Sequence, residues 1–336
     1  MAGEPQRILV IKHGALGDIV LALGPFAAIR EHHTKAHIVL LTTAPYASLL
    51  ADSWYFDEIW IDDKPKVWQP GGWLTLRRTL RAGRFDRVYD LQHTDRTATI
   101  YRMLGHPKPE WSGIVRGASH PHTNPDRDSM HTIERQAEQL AAAGIANTPA
   151  TDLSWIPEAE LSRHLLADRI ALLVPGGSPH RARKRWPAKR YASLGKWLSA
   201  RGLQPVLLGT LTEGRIIEDI DDRVPGVANL CNDTSFAAIV TLARRAEVAI
   251  GNDTGPMHLI AAAGCPSLVL FSDDSVPQQT APRGAKVHSL QVPRLELLAA
   301  AKVIAAAATL APGLGPPRPE DASGSEQTDA EASGAP

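Results

Sequence analysis

The segment Val248-Ala-Ile-Gly-Asn-Asp-Thr-Gly-Pro-Met-His258 passes from an apolar strand pattern into a helix that begins near Pro256. Small polar residues at this junction leave backbone N–H groups exposed at the helix start, where proline removes no donor that the helix needs. The positive end of the helix dipole favours a phosphate anion at such a place. The segment therefore predicts a diphosphate site, with an ordinary capping turn through Asp253 or Thr254 as the alternative.

The same alternation of strand and helix patterns continues in both directions along the chain. Short β-branched and apolar runs predict strands at 8–12, 37–43, 58–62, 87–92, 170–174, 205–208, 227–230, 248–251 and 267–271. Segments with helical spacing predict helices at 18–33, 44–52, 72–84, 95–104, 130–143, 188–200, 212–222, 236–245, 256–263 and 297–311. Such alternation is typical of βαβ units and hence of parallel sheets.

A looser stretch at 147–159 interrupts this pattern, and 336 residues exceed the usual size of a single core. We therefore expect an α/β protein of two doubly wound, Rossmann-like domains, 1–155 and 156–311, facing each other across a cleft. Ligands are expected outside the carboxyl ends of the strands. The segment 312–336 is rich in Pro, Gly, Ser and Glu and is predicted to be a disordered tail.

The composition excludes several classes of protein. The 36 basic and 36 acidic residues cancel, so no overall field attracts nucleic acid. Two cysteines give no disulfide framework, which is typical of a reducing compartment. The polar N-terminus shows no signal peptide, and no apolar run reaches the length of about 18 residues that a spanning helix needs. These features predict a cytoplasmic protein without a nucleic-acid partner.

A second chemically suggestive stretch, Lys12-His-Gly-Ala-Leu-Gly-Asp18, joins the first strand to the first helix. Its glycines permit a tight turn and close backbone approach. Asp18 lies at the predicted helix start, where it can cap the helix or line a site. The stretch lacks the third glycine of a dinucleotide fingerprint and the Gly-Lys-Ser/Thr ending of a P-loop. An NAD-dependent dehydrogenase or a P-loop enzyme is therefore disfavoured.

Two further stretches follow strands of the second half. Val174-Pro-Gly-Gly-Ser178 precedes a basic cluster that includes Lys184 and predicts a cationic rim at the ligand site. Glu213 follows the next strand, where a carboxylate can accept hydrogen bonds from ribose hydroxyl groups. A solvated basic loop and a carboxylate in the first turn of a helix are the alternatives.

In order and spacing these stretches resemble the motifs of glycosyltransferase family 9, the ADP-heptose:lipopolysaccharide heptosyltransferases. Lys12 to Asp18 is similar to the family's Lys-x-x-x-x-Gly-Asp, Lys184 to Pro187 to its Lys-x-Trp-Pro, and Asn252 to His258 to its Asn/Ser-Asp-Thr-Gly-x-Met-His. The resemblance runs from about Arg7 to about Ala311. One departure is Ser272-Asp-Asp-Ser275, where the family often has Gly-Pro-Thr, and we expect it to alter donor contacts.

The resemblance implies a GT-B fold with an N-terminal acceptor domain and a C-terminal donor domain. It implies that Asp18 is the catalytic base and that Lys184 acts in catalysis by binding the donor phosphates. By the same resemblance, the donor-binding residues are Gly176, Gly177, Lys184, Glu213, Asp253, Thr254, Gly255 and His258. The acceptor-binding residues are Lys12, Gln92 and Arg96, of which Gln92 belongs to an Asp-x-Gln stretch.

The expected function is inverting transfer of a heptose or related sugar from a nucleoside-diphosphate sugar, ADP-heptose, to the inner core of lipopolysaccharide. We expect a nucleotide-sugar donor and an anionic glycolipid acceptor as partners, with no cofactor and no metal. Arginines of the predicted helix 72–84 would allow weak contact with anionic lipid at the inner membrane. A GT-B-fold sugar-nucleotide epimerase and a non-catalytic sugar-nucleotide-binding protein are the alternatives.

Overall fold

The computed structural model describes residues 6–161, 165–177 and 184–315. The chain divides into two compact units, Met1–Ile156 and Pro157–Pro336. Each unit contains a six-stranded sheet in which every pair of neighbouring strands is parallel. The expectation of two doubly wound α/β domains is thereby confirmed.

The first unit contains six strands and six helices in its described part. The strands are β1 (Arg7–Ile11), β2 (His37–Thr42), β3 (Glu58–Ile61), β4 (Arg87–Asp90), β5 (Glu110–Gly113) and β6 (His120–Pro121). The helices are α1 (Leu16–Val20), α2 (Leu23–His32), α3 (Ala44–Leu50), α4 (Pro70–Ala82), α5 (Asp95–Met103) and α6 (Thr132–Ala142). The sheet order is β3-β2-β1-β4-β5-β6, so the order reverses between β1 and β4.

The core of the first unit explains why its central strands are almost wholly apolar. Leu9 of β1 and Val39 of β2 pack against Leu76 and Leu80, which lie one turn apart on α4. This spacing gives α4 one buried apolar stripe, and Arg77, Arg78 and Arg81 lie outside it. Parallel strands buried in this way need helices over both faces, and they read as continuous apolar runs.

The second unit repeats this architecture. Its strands are β7 (Ile170–Val174), β8 (Gln204–Leu207), β9 (Ala228–Asn229), β10 (Val248–Asn252), β11 (Ser267–Ser272) and β12 (Val287–Val292). Its helices are α7 (Ala188–Ser199), α8 (Gly214–Asp221), α9 (Phe236–Arg245), α10 (Gly255–Ala262), α11 (Pro277–Thr280) and α12 (Ala300–Leu310). The order β12-β11-β10-β7-β8-β9 reverses between β7 and β10. Counted within each unit, both sheets show the 3-2-1-4-5-6 order of doubly wound folds.

Several details differ from the sequence-based prediction. Strands β5, β6 and β12 were not predicted. The first two are short, and β12, at one end of its sheet, mixes apolar with polar residues. The single helix expected at 18–33 is two helices, α1 and α2.

The predicted tail begins too early. Pro312–Leu314 forms a short 3-10 turn, Leu314 is buried in the core of the second unit, and Arg201 Nε donates to its carbonyl at 3.0 Å. Leu314 packs this turn against the core, and the polar composition of the tail as a whole did not indicate such a contact. Residues 316–336 lie outside the described residues. Among the described helices, none is long and apolar enough to cross a membrane.

Candidate active site

In the first unit, the loops after β1 and β4 meet at the point where the strand order reverses. Lys12 Nζ donates to the carbonyl of Leu91 at 3.0 Å, and the His13 N–H donates to Gln92 Oε1 at 2.8 Å. Crevices in doubly wound sheets open at this position. The structure therefore brings together Lys12 and Gln92, two of the residues expected to bind the acceptor.

The Lys12 side chain is almost fully buried beside acidic groups. Burial lowers the pKa of its ammonium group, while the nearby carboxylates of Asp18 and Asp90 act in the opposite direction. Lys12 is thus a desolvated cation next to Asp18, and its charge holds the two loops of the crevice together.

Asp18 is the third residue of α1, not the residue before the helix as one interpretation of the sequence had it. Its Oδ2 atom accepts a hydrogen bond from the Ala15 N–H at 3.0 Å, which caps the helix from within its first turn. Among the described residues, no hydrogen bond reaches Oδ1 of this half-buried side chain. The carboxylate therefore caps the helix through Oδ2.

Gly14 sets the path of the chain between Lys12 and Asp18. Its φ of +103° lies in the region that favours glycine, and a Cβ atom there would come within 2.1 Å of the Tyr46 ring. The loop can follow this path only if residue 14 has no side chain.

Asp62 links Arg96, the third residue predicted to bind the acceptor, to the loop at His13. Its buried carboxylate lies 3.0 Å from His13 Nε2 and accepts from Arg96 Nε at 2.6 Å, with a second contact to the Arg96 guanidinium. That guanidinium also lies 4.7 Å from the ring centre of Trp73. Arg96 is thus anchored inside the protein, which limits the donors it can offer to an acceptor.

Burial alone would raise the pKa of Asp62, but hydrogen bonds from His13, Arg96 and the Lys64 N–H outweigh it. The pKa of Asp62 is therefore held well below its usual range. Sequence reasoning missed Asp62, although its position at the carboxyl end of a predicted strand was a usable signal. A cavity of about 580 Å³ opens beside the pair, lined by residues of the loops at 13–15, 43–46 and 61–64.

A second missed group is basic and lies near Asp18. The Arg135 side chain is half-buried, and Asp18 and Arg127 are among the charges that act on it. Arg127 also reaches His93, with Nη2 and Nδ1 3.4 Å apart. Burial, with the charges of Arg127 and Lys12, lowers the pKa of His93 to about 3. Arg127 and Arg135 are thus basic residues near this crevice that the sequence motifs did not single out.

In the second unit, the strand order reverses between β7 and β10, and Asn252 joins the two loops there. The fully buried Asn252 Nδ2 donates to the carbonyls of Pro175 and Gly176 at 2.8 and 2.9 Å. Its Oδ1 accepts from the Tyr191 hydroxyl at 3.0 Å. Asn252 therefore holds the Pro-Gly-Gly loop against the start of α10, a scaffolding role that the motif alone did not reveal.

Lys184 and Asp253 form an ion pair at this crevice. Lys184 Nζ lies 2.9 Å from Asp253 Oδ2, and both side chains are largely buried. Ser275 Oγ donates to the same oxygen at 2.5 Å. The structure thus brings together two predicted donor residues and one residue of the Ser272 to Ser275 departure, whereas Asp273 and Asp274 are exposed.

Glu213 lies against the other side of the Pro-Gly-Gly loop. A Cβ atom at Gly176 would come 3.2 Å from Glu213 Cγ, and one at Gly177 would come equally close to Arg185 Cγ. Glu213 Oε2 accepts from the Thr210 N–H at 2.9 Å and from its hydroxyl at 2.6 Å. The carboxylate therefore caps the 3-10 turn Leu211–Glu213, as the alternative interpretation expected, and also flanks the crevice.

The remaining predicted donor residues surround the start of α10. Thr254 is the N-cap residue, Gly255 is the first residue of the helix, and His258 is buried one turn later. The first N–H groups of the helix therefore point toward the crevice end of β10, where they can bind an anion. Part of the basic loop, residues 178–183, lies outside the described residues.

Within the described ranges, no group of three or more His, Cys, Asp or Glu side chains is arranged to hold a metal ion. Independence from metal stays a prediction.

Comparison with known proteins points in the same direction as this geometry. The family model described as glycosyltransferase family 9 (heptosyltransferase) matches residues 73–307. Lipopolysaccharide heptosyltransferase 2 of Escherichia coli (strain K12) is 25% identical over 310 residues, which cover 85% of this chain and 88% of that protein.

Solved structures show the same fold. E. coli ADP-heptose LPS heptosyltransferase II superposes with a TM-score of 0.72 at 22% identity, covering 91% of this chain and 98% of that one. The E. coli heptosyltransferase WaaC with ADP-2-deoxy-2-fluoro heptose gives 0.69 at 18% identity, covering 89% and 98%.

A UDP-GlcNAc 2-epimerase from Methanocaldococcus jannaschii, the enzyme class of the first alternative, gives only 0.53 at 10% identity, covering 85% of this chain and 89% of that one. The family model, by contrast, covers more than half of the chain. The protein therefore belongs to glycosyltransferase family 9, the heptosyltransferase family.

Proposed function

We propose that this protein transfers a heptose from ADP-heptose to the inner core of lipopolysaccharide, with inversion at the anomeric carbon. The single observation that carries the proposal is the crevice of the second unit, where the Lys184–Asp253 pair lies beside the N-terminus of α10. A lysine that can exchange its carboxylate partner for a diphosphate, next to the N-terminus of a helix, suits a nucleoside diphosphate.

The leaving group in this reaction is ADP, which gains negative charge as its bond to the anomeric carbon breaks. Lys184 and the first N–H groups of α10 would stabilise that charge without a cation. Gly176 and Gly177 would allow the diphosphate close to the backbone, and Glu213 would accept hydrogen bonds from the ribose. His258 would complete the donor site from within α10.

The nucleophile is a hydroxyl group of the acceptor. Asp18 would accept its proton on Oδ1 as the new C–O bond forms, and the sugar would invert because the hydroxyl attacks opposite the departing ADP. Lys12, whose charge interacts with that of Asp18, would add positive charge to this part of the crevice.

The acceptor would be an anionic glycolipid held by the first unit. Lys12 and Arg135 are buried or half-buried cationic side chains whose charges interact with that of Asp18, and Gln92 lies within the same crevice. Arg96, already bound to Asp62, would act on the acceptor mainly by fixing the loop at His13. We further propose that the enzyme works in the cytoplasm, at the inner face of the inner membrane where its lipid-linked acceptor resides.

The test is a transfer assay with the purified chain, ADP-heptose and truncated lipopolysaccharide acceptors. We expect release of ADP only when acceptor is present, a mass increase of one heptose, and an inverted anomeric linkage by NMR. The activity should persist in excess EDTA, since Lys184 and α10 replace a cation. Conversion of ADP-heptose without acceptor would favour the epimerase, and donor binding without turnover would favour the non-catalytic alternative.

A further inference from the structure

Residues 64–84 carry an unusual charge for a chain that is neutral overall. The segment contains six basic residues and no acidic residue. The basic residues are Lys64, Lys66, Arg77, Arg78, Arg81 and Arg84. This segment of an overall neutral protein is therefore strongly positive, and such a concentration of charge attracts an anionic partner.

The helix within this segment turns its charges to solvent. Leu76 and Leu80 of α4 are buried in the core, whereas Arg77, Arg78 and Arg81 are exposed. Among the described residues, Arg77 and Arg78 take part in no ion pair or hydrogen bond. Their charges are therefore available to an external anion, and no packing role explains them.

Large apolar side chains are exposed beside these charges. Val67 is 87% exposed, Trp68 is 74% exposed and Leu74 is 44% exposed. The Lys66 ammonium lies 5.2 Å from the Trp68 ring, so charge and aromatic surface are directly adjacent. One exposed apolar residue needs no explanation, but three within a segment that carries six positive charges give it a mixed apolar and cationic character.

We propose that residues 64–84 form a membrane-docking surface that lies on an anionic phospholipid bilayer. Arg77, Arg78 and their neighbours would bind lipid phosphates, and Val67 and Trp68 would enter the headgroup region, where tryptophan is favoured. This inference rests on the proposed function in one respect, because that function implies an acceptor in the membrane. It adds the surface by which the protein would contact the bilayer. A nucleic acid would use the charges but would leave Val67 and Leu74 without a partner, whereas a bilayer uses both.

The experiment is sedimentation of the full chain with phosphatidylethanolamine vesicles that contain or lack phosphatidylglycerol, without sugar substrates. Arg77→Gln/Arg78→Gln removes two charges and should weaken binding to the anionic vesicles by about 30-fold, since each basic residue near the surface contributes a factor of about 5 to the affinity and the two factors multiply. Val67→Ser/Trp68→Ser should weaken it by a similar order while preserving the salt dependence. Both double variants change exposed residues, so the fold should be kept.

Matched controls lie in the second unit. Lys196→Gln/Arg215→Gln removes two exposed charges, and Leu297→Ser removes an exposed apolar side chain, and neither should change vesicle binding. Equal binding to vesicles without phosphatidylglycerol, or equal losses in the controls, would overturn the proposal. Turnover on a deacylated, water-soluble acceptor should be unchanged in all variants, while turnover on vesicle-embedded acceptor should fall in the two surface variants. Sedimentation measures vesicle binding directly, so it tests the docking surface even if the protein shows no heptose transfer.

Discussion

The carboxylate of Asp253 holds the ammonium group of Lys184 at 2.9 Å. Under the proposed function a bound diphosphate would take over this lysine, so Lys184→Ala should lose one charge-assisted contact in both the bound and the reacting states. We expect the Kd for ADP to rise by about 10- to 100-fold and kcat to fall as well. Calorimetric titration with ADP and steady-state kinetics measure the two effects. The control is Lys189→Ala, which changes an exposed residue of α7. An unaltered Kd for ADP in Lys184→Ala would show that this lysine does not bind the donor.

Asp18→Asn should separate catalysis from helix capping. The amide oxygen can still accept from the Ala15 N–H, so folding and donor affinity should be nearly unchanged. Only the proton acceptor is lost, and kcat should fall by about 10² to 10⁴. Asp95→Asn, in the first turn of α5, makes the same chemical change at another helix and should leave kcat as it is. Near-normal turnover by folded Asp18→Asn protein would mean that the carboxylate is structural only.

Asn252→Asp should destabilise the second unit, because its side chain could no longer donate to two backbone carbonyl groups. The new carboxylate would place an oxygen where Nδ2 now donates to Pro175 and Gly176, leaving an unpaired buried charge. We expect a loss of about 2 to 4 kcal/mol in the free energy of unfolding and weaker ADP binding. Urea denaturation measures the first effect, with the exposed Asn147→Asp as the control. A stable variant with normal ADP affinity would show that the loop does not depend on this side chain.

Asp62→Asn should weaken the first unit at the Arg96 anchor. The buried carboxylate is the shared partner of His13 and Arg96, and removing its charge leaves a largely buried guanidinium without compensation. The expected cost is about 3 kcal/mol in the free energy of unfolding, with a raised KM for acceptor. Thermal unfolding should show no comparable loss for the neighbouring exposed Asp63→Asn. If the two variants were equally stable, the buried pair would contribute nothing.

His93 should make stability depend on pH in a defined direction. Burial, with the charges of Arg127 and Lys12, holds its pKa at about 3, whereas an unfolded chain has a histidine pKa near ~6.5. Between these values the unfolded chain binds a proton that the folded chain does not, so the free energy of unfolding falls as the pH falls through this window and is unaffected above it. His93→Asn tolerates the positive φ of this position and removes the titration.

Urea denaturation of wild type and His93→Asn at about pH 7.5 and about pH 5 measures this effect. The wild type should lose more stability on acidification than the variant, by at most about 2 kcal/mol. Parallel losses in the two proteins would show that His93 is already protonated in the folded state.

The structure also shows which features could be predicted from the sequence and which could not. Continuous apolar runs such as Ile170–Val174 predict buried parallel strands, and the residues that follow them lie at the carboxyl edge by construction. Lys12, Lys184 and Asp253 were found in this way because each adjoins a recognisable strand or motif. These local signals were sufficient for the fold and for the positions of the two crevices.

Contacts between distant segments escaped prediction. Asp62 and Arg96 are 34 residues apart, and nothing in their local sequence indicates that they pair. Asn252 was visible within its motif, yet its hydrogen bonds to Pro175 and Gly176 cross 76 or more residues. Edge strand β12 was missed because His288, Ser289 and Gln291 interrupt it and leave no continuous apolar run.

The place of Ser275 has a consequence for how this enzyme can diverge. Its hydroxyl reaches Asp253 from the loop that follows β11, not from the sheet itself, so exchanging it requires no repacking of the core. Loops of this kind tolerate insertion and substitution far better than the strands they follow. Under the proposed function, substitutions in this loop could therefore change which activated sugar the enzyme prefers. The strands and loops that position Lys184 would stay unchanged.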